Sequence, residues 1–179
     1  MVSKEEIHIL SYYRAGELNG AVLFGKLALV TDIDEIRIPL TRHCLEEAEH
    51  GWLWTKVIKD LGHIPIKITN TYQTEYGKEF GMPTNALEIL CLTQILERRV
   101  LSHFIKHLSM PNLNPIIQKA LKKMIEDEKG HLDWIKRELD KFDKEESSKV
   151  MEKLSEIDQK VYEKIASQSP FKEYFGEIL

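Results

Sequence analysis

Glycine and proline number only nine and six in 179 residues, and they gather between long stretches rich in Leu, Ile, Glu and Lys. Both residues interrupt helices, so their placement marks helix ends and predicts five helices and no sheet. The first helix is expected from Lys4 to Val30, where Leu10, Tyr13, Glu17, Ala21, Phe24 and Ala28 recur at steps of three and four. Thr31-Asp32-Ile33-Asp34 offers capping side chains for a second helix to about Leu61, with Pro39 imposing a kink or a late start and Gly62 the stop. Residues 62–84 carry Pro65, Asn70, Gly77, Gly81 and Pro83 without helical periodicity, a connection long enough to cross the molecule. A third helix follows from Asn85 to about Ser109 and a fourth from Ile116 to about Phe142, turning through Met110-Pro111-Asn112-Leu113-Asn114-Pro115. Lys144 to Ala166 reads as an amphipathic fifth helix outside the four, and Phe171, Tyr174 and Phe175 form a short aromatic tail. The expected fold class is therefore all-α, with two antiparallel hairpins joined by a long crossover in residues 1–143. Residues 144–179 are expected to pack on the same domain, and 42% hydrophobic residues suffice for one sizeable core.

Within these helices, glutamates interrupt apolar stripes. The stripe around Glu47 carries Leu40, His43, His50, Trp54, Ile58 and Leu61. That around Glu97 carries Leu90, Thr93, Leu101, Phe104 and Leu108, and that around Glu128 carries Leu121, Met124, His131, Ile135 and Leu139. Glu-x-x-His sets a carboxylate and an imidazole one turn apart on a helix face, a spacing that chelates a metal beside the helix. Three copies occur, Glu5/His8, Glu47/His50 and Glu128/His131. Chance supplies about one of them, since seven histidines each meet an acid at that offset with odds of about one in six. Glu5/His8 opens the first helix without a partner and is expected to be solvated surface. The others have partners, because residues equidistant from a tight turn lie at one height in a helix hairpin. Glu17 and Glu47 are equidistant from Asp32, and Glu97 and Glu128 from the Asn112-Leu113 pair. Four buried carboxylates at one level require a neutralising partner, and no arginine or lysine lies on these stripes. Two divalent cations would supply it.

Composition narrows the remaining classes. A formal charge of −4 without a basic block argues against a nucleic-acid partner. Cys44 and Cys91 lie far apart without a Cys-x-x-Cys, which excludes a zinc ribbon, a rubredoxin-type iron site and a disulfide framework. No apolar signal core or membrane-length apolar run is present, so the reading is a cytoplasmic protein in a reducing compartment, with no membrane association.

The order Glu17, Glu47-Ala48-Glu49-His50, Glu97, Glu128-Lys129-Gly130-His131 resembles the ferritin-like di-iron carboxylate superfamily, over residues 5 to 142. That resemblance implies that Glu47 and Glu128 bridge two irons, Glu17 and Glu97 are terminal ligands on opposite metals, and His50 and His131 complete the two shells. Carboxylate and imidazole donors suit iron, with manganese as the alternative. The cysteines cannot form the rubredoxin module of a full rubrerythrin. Val100 stands where rubrerythrins place an additional glutamate, and Ala48 where bacterioferritins place a haem-binding methionine, so no haem is expected.

The resulting expectation is an oxidoreductase whose di-metal centre reacts with O2 or peroxide, with an unidentified substrate or electron donor. A ferroxidase and iron-storage protein is the second reading, and a helical interaction module using the C-terminal segment is the third. A homo-oligomer, in the first instance a dimer, accompanies these. Tyr13 and Trp54, one turn from Glu17 and His50, read as electron relays or as core packing; His43 reads as a hydrogen-bond partner of a ligand or as a core or rim histidine. Gly16, Gly20, Gly51 and Gly130 flank the proposed ligands, leaving room for oxygen or substrate, or for close helix packing.

Overall fold

Seven helices and no strand form among the described residues, 2–176, of the computed structural model. They are α1 (Lys4–Val30), α2 (Asp34–Asp60), α3 (Tyr72–Phe80), α4 (Ala86–Leu108), α5 (Pro115–Leu139), α6 (Lys144–Ala166) and α7 (Ser169–Phe175). Residue 1 and residues 177–179, which the expected ranges 1–143 and 144–179 include, lie outside the described residues. Local chemistry accounts for most helix starts. Ser3, Asn85 and Asn114 each accept a backbone N–H of the first turn, Asp143 accepts two, and Pro115 opens α5 where no N–H is needed.

Three expectations are corrected. The crossover is not structureless, because residues 72–80 form α3. Thr71 and Thr74 cap it reciprocally, side chain to backbone in both directions, and Gly81 at φ +83° ends it. The aromatic tail is helical as well, with Pro170 in the first turn of α7. The second helix starts at Asp34 and runs through Pro39, so no late start occurs, and Ile33 occupies the cap position without a side-chain bond. Thr31 instead closes α1, its N–H donating to Leu27.

The four long helices meet around one core. Arg14 Nε donates to Thr55 Oγ1 at 2.7 Å, Leu18 packs on Gly51 and Gly25 faces Cys44, so α1 and α2 run antiparallel. Across the α2–α5 seam, Glu46 meets His131 and His50 meets Asp127, again antiparallel. Two apolar layers bracket the middle of this assembly. One is built on Phe24, Leu27, Ile36, Leu40 and Ile89, and the other, larger one contains Tyr13, Trp54, Phe104, Leu121 and Met124. Burying such side chains stabilises the fold by about 1.5–3 kcal/mol each.

The C-terminal helices belong to the larger layer. Leu154, Val161 and Ile165 of α6 and Phe171 and Phe175 of α7 are buried in it, and Phe171 meets Tyr12 edge-on at 4.6 Å. A hydrogen-bonded chain fastens α7 to α1 and α4. The Tyr174 hydroxyl donates to Glu6 Oε1 at 2.8 Å, so it accepts from His107 Nε2 at 2.9 Å, leaving His107 Nδ1 to accept from Tyr13 at 3.2 Å. No described helix is long and apolar enough to cross a membrane.

Candidate metal centre

Each long helix brings acid to the level between the two apolar layers. Glu17, Glu47, His50, Glu97, Glu128 and His131 are all buried there, Glu128 completely. The structure brings together all six residues singled out from the sequence, and adds His43. Their donor atoms fall into two groups, each within 4.8 Å: Glu17, Glu47, His50 and Glu128, and then His43, Glu47, Glu97 and His131. Glu47 belongs to both. Glu128 also spans them, with Oε1 3.3 Å from His50 Nδ1 and Oε2 3.0 Å from His131 Nδ1. Glu5 and His8 lie outside these groups, part-covered on the opening turns of α1 rather than fully solvated.

The two histidines are held from behind. His50 Nε2 lies 3.3 Å from Asp127 Oδ2, and His131 Nε2 3.2 Å from Glu46 Oε2. Each outer acid precedes the central glutamate of the opposite helix, so α2 and α5 orient each other's imidazole. The Nδ1 atoms then face inward, where a ligand nitrogen is needed. Glu46 and Asp127 are in turn paired with Arg42 and Lys123. Stripe arithmetic missed both outer acids because they sit off the core face by one residue, although the far nitrogen of an imidazole reaches that position.

Electrostatics mark the cluster as short of positive charge. Burial pushes the Glu47 carboxyl well above its ordinary range, and the neighbouring Glu17, Glu97 and Glu128 push it further. Burial, then Glu97, raises Glu128. Burial opposes charge on His50 and His131, but facing carboxylates outweigh it and hold the rings up to about 10 and about 11. Glu97 goes the other way: burial raises it, yet His43 and His131 hold it well below the carboxylate range. Burial favours neutral His43, so His131 is the cation that Glu97 faces at neutral pH. No lysine or arginine lies within 4 Å of the four inner carboxylates among the described residues. Glu47 Oε1, His50 Nδ1, Glu128 Oε1 and both nitrogens of His43 are buried without a hydrogen-bond partner. Divalent cations take up lone pairs left without a donor, as on these carboxylate oxygens and on one nitrogen of each ring.

The flanking glycines have separate uses. A Cβ on Gly20 would stand 2.4 Å from Glu47 Oε2, so this glycine gives the shared carboxylate its room. Gly51 serves packing, since a Cβ there would meet Leu18 Cδ2 at 2.7 Å, while Gly130 has nothing within 4 Å. We expect Gly20→Ala to displace Glu47 and weaken Fe(II) or Mn(II) binding roughly tenfold or more at unchanged helicity, measured by metal titration and circular dichroism. Undiminished affinity would show that the carboxylate does not need this space.

A groove of about 600 Å³ between α2 and α5 opens on His50 and His131, edged by Arg42, Glu49, Lys123 and Glu126. In the larger apolar layer, Tyr13, Trp54 and Phe104 pack together with centroids 5.0–5.7 Å apart. No protein-family model, curated protein or solved structure matches this chain.

Proposed function

We propose that this chain is a ferritin-like di-metal carboxylate protein acting as an oxidoreductase on O2 or peroxide. One observation carries the reading: four carboxylates and the imidazoles between them, drawn from four helices, converge in a buried core with no lysine or arginine among the described residues within 4 Å of the carboxylates to balance them. Glu17, Glu47, His50 and Glu128 would hold one metal, and Glu97, His131 and the shared Glu47 and Glu128 the other. Such a pair of irons, or manganese ions, supplies the electrons that O2 or peroxide accepts.

The chain's own residues set the conditions. Glu46 and Asp127 fix the imidazoles so that Nδ1 points inward. The apolar layers above and below keep water from the carboxylates and strengthen every charge interaction among them. The α2–α5 groove leaves one path by which a small oxidant, or a donor, reaches the histidine side.

Elemental analysis after anaerobic Fe(II) loading tests the proposal, comparing the native chain with a Glu47→Ala/Glu128→Ala variant. About two irons per native chain, falling to near zero in the variant, is the expected result. Equal uptake by both proteins would overturn it. Many irons per chain under excess Fe(II) in air would instead assign the site to iron storage.

A further inference from the structure

We infer that His43 is a third nitrogen ligand, which makes the two metal positions chemically unequal. This rests on the di-metal reading above and goes beyond the six ligands assigned there. The two Glu-x-x-His helices are near copies. Positions 42, 46, 47 and 50 of α2, moved by 81, fall on Lys123, Asp127, Glu128 and His131 of α5. Basic residue, outer acid, central glutamate and imidazole all repeat, and their contacts repeat with them. His43 is where the copy fails, for its counterpart is Met124, buried in the larger apolar layer.

The placement of His43 fits a ligand. It is completely buried, with its ring stacked on Phe24 at 4.0 Å, 4.0 Å from His131 and edge-on to Trp134, which holds the imidazole plane. Its Nε2 points into the centre, 3.2 Å from Glu97 Oε1 and 3.3 Å from Glu47 Oε1, yet is aligned to hydrogen-bond with neither. A buried imidazole with both nitrogens unpartnered is costly, and a metal at Nε2 would take the ring's one lone pair, leaving only the Nδ1 N–H without a partner. Packing alone would be served better by an apolar side chain, as it is at Met124.

With His43 included, one position has two imidazoles, His43 and His131, with Glu97 and Glu47. The other has one, His50, with Glu17, Glu47 and Glu128. Nitrogen-rich sites favour later transition metals and oxygen-rich sites favour manganese and magnesium, so the positions should fill in order.

Copper(II) is the probe, since it seeks nitrogen. One equivalent is added to the metal-free native protein and the coupled nitrogens are counted by pulsed electron paramagnetic resonance. Two directly bound imidazoles are expected in the native chain and one in His43→Gln, with first-equivalent affinity falling roughly tenfold or more. A first equivalent bound in the core through a single imidazole would overturn the His43 assignment while leaving the di-metal site intact. No binding in the core would remove both. The native measurement stands even where the variant folds poorly.

Discussion

The metal-free protein is expected to be most stable near pH 6 and to lose stability steadily as the pH rises toward 10. In the unfolded chain carboxyls ionise near 4.3 and imidazoles lose their proton near 6.5. Folding raises Glu47 and Glu128 above that range and holds His50 and His131 up to about 10 and about 11. Raised groups stabilise the fold most at low pH, and that contribution is lost as pH climbs through the folded values. For the imidazoles the window runs from about 6.5 to 10, with a slope of roughly 1.4 kcal/mol per pH unit for each retained proton. Depressed groups oppose this on the acid side. Burial lowers His43, and carries His103 down to about 3 and His107 to about 4, so their contribution is lost as pH falls below about 6.5. Bound metal should invert the alkaline limb, because cations replace the protons that the cluster otherwise keeps. Thermal midpoints at about pH 6, 7.5 and 9, with Mn(II) against EDTA, should show a gap that widens with pH. A constant gap would mean that metal displaces no protons from these four groups.

Asp158→Ala is expected to cost about 3 kcal/mol, an unusually large effect for a residue near the surface. Asp158 of α6 accepts from Arg99 Nε at 3.1 Å and also bonds Arg99 Nη2 and the Tyr72 hydroxyl. Arg99 lies over the Tyr162 ring at 3.9 Å, so one carboxylate ties α3, α4 and α6 together. Removing it strands a guanidinium and a phenol that are both largely covered. Urea unfolding should show the midpoint falling, with Asp158→Asn recovering part of the loss. An unchanged midpoint would mean that apolar contact alone seats α6.

Periodicity and hairpin symmetry made the long helices and six inner residues legible, because stripes three to four residues apart survive whatever the tertiary context does. α3 was obscured by Gly77 and by its brevity, although the Thr71/Thr74 box was a readable start signal. Its inward residues, Tyr72, Glu75 and Tyr76, are specified by α6 across the chain: Tyr76 donates to the Leu154 carbonyl, and Glu75 pairs with Lys164. Such partners lie some eighty residues away, beyond the reach of a local pattern. His43 was visible as part of a stripe, but only coordinates show whether a buried imidazole finds a partner. Thr31 closes the first helix with its backbone N–H while its hydroxyl accepts from Ile33 N at 3.4 Å, so in a three-residue turn one residue serves both ends and a capping pattern cannot assign it to either.

The groove between α2 and α5 gives the centre a sidedness. Both imidazoles line the same opening, while Glu17 and Glu97 enter from α1 and α4 behind them. At that opening Glu46, Glu49, Glu126 and Asp127 outnumber Arg42 and Lys123, so the local potential draws cations inward and slows anions. Exchange of ions with the medium through this opening is thereby rectified by charge, and a neutral chelator entering there would strip the centre faster than an anionic one of equal affinity.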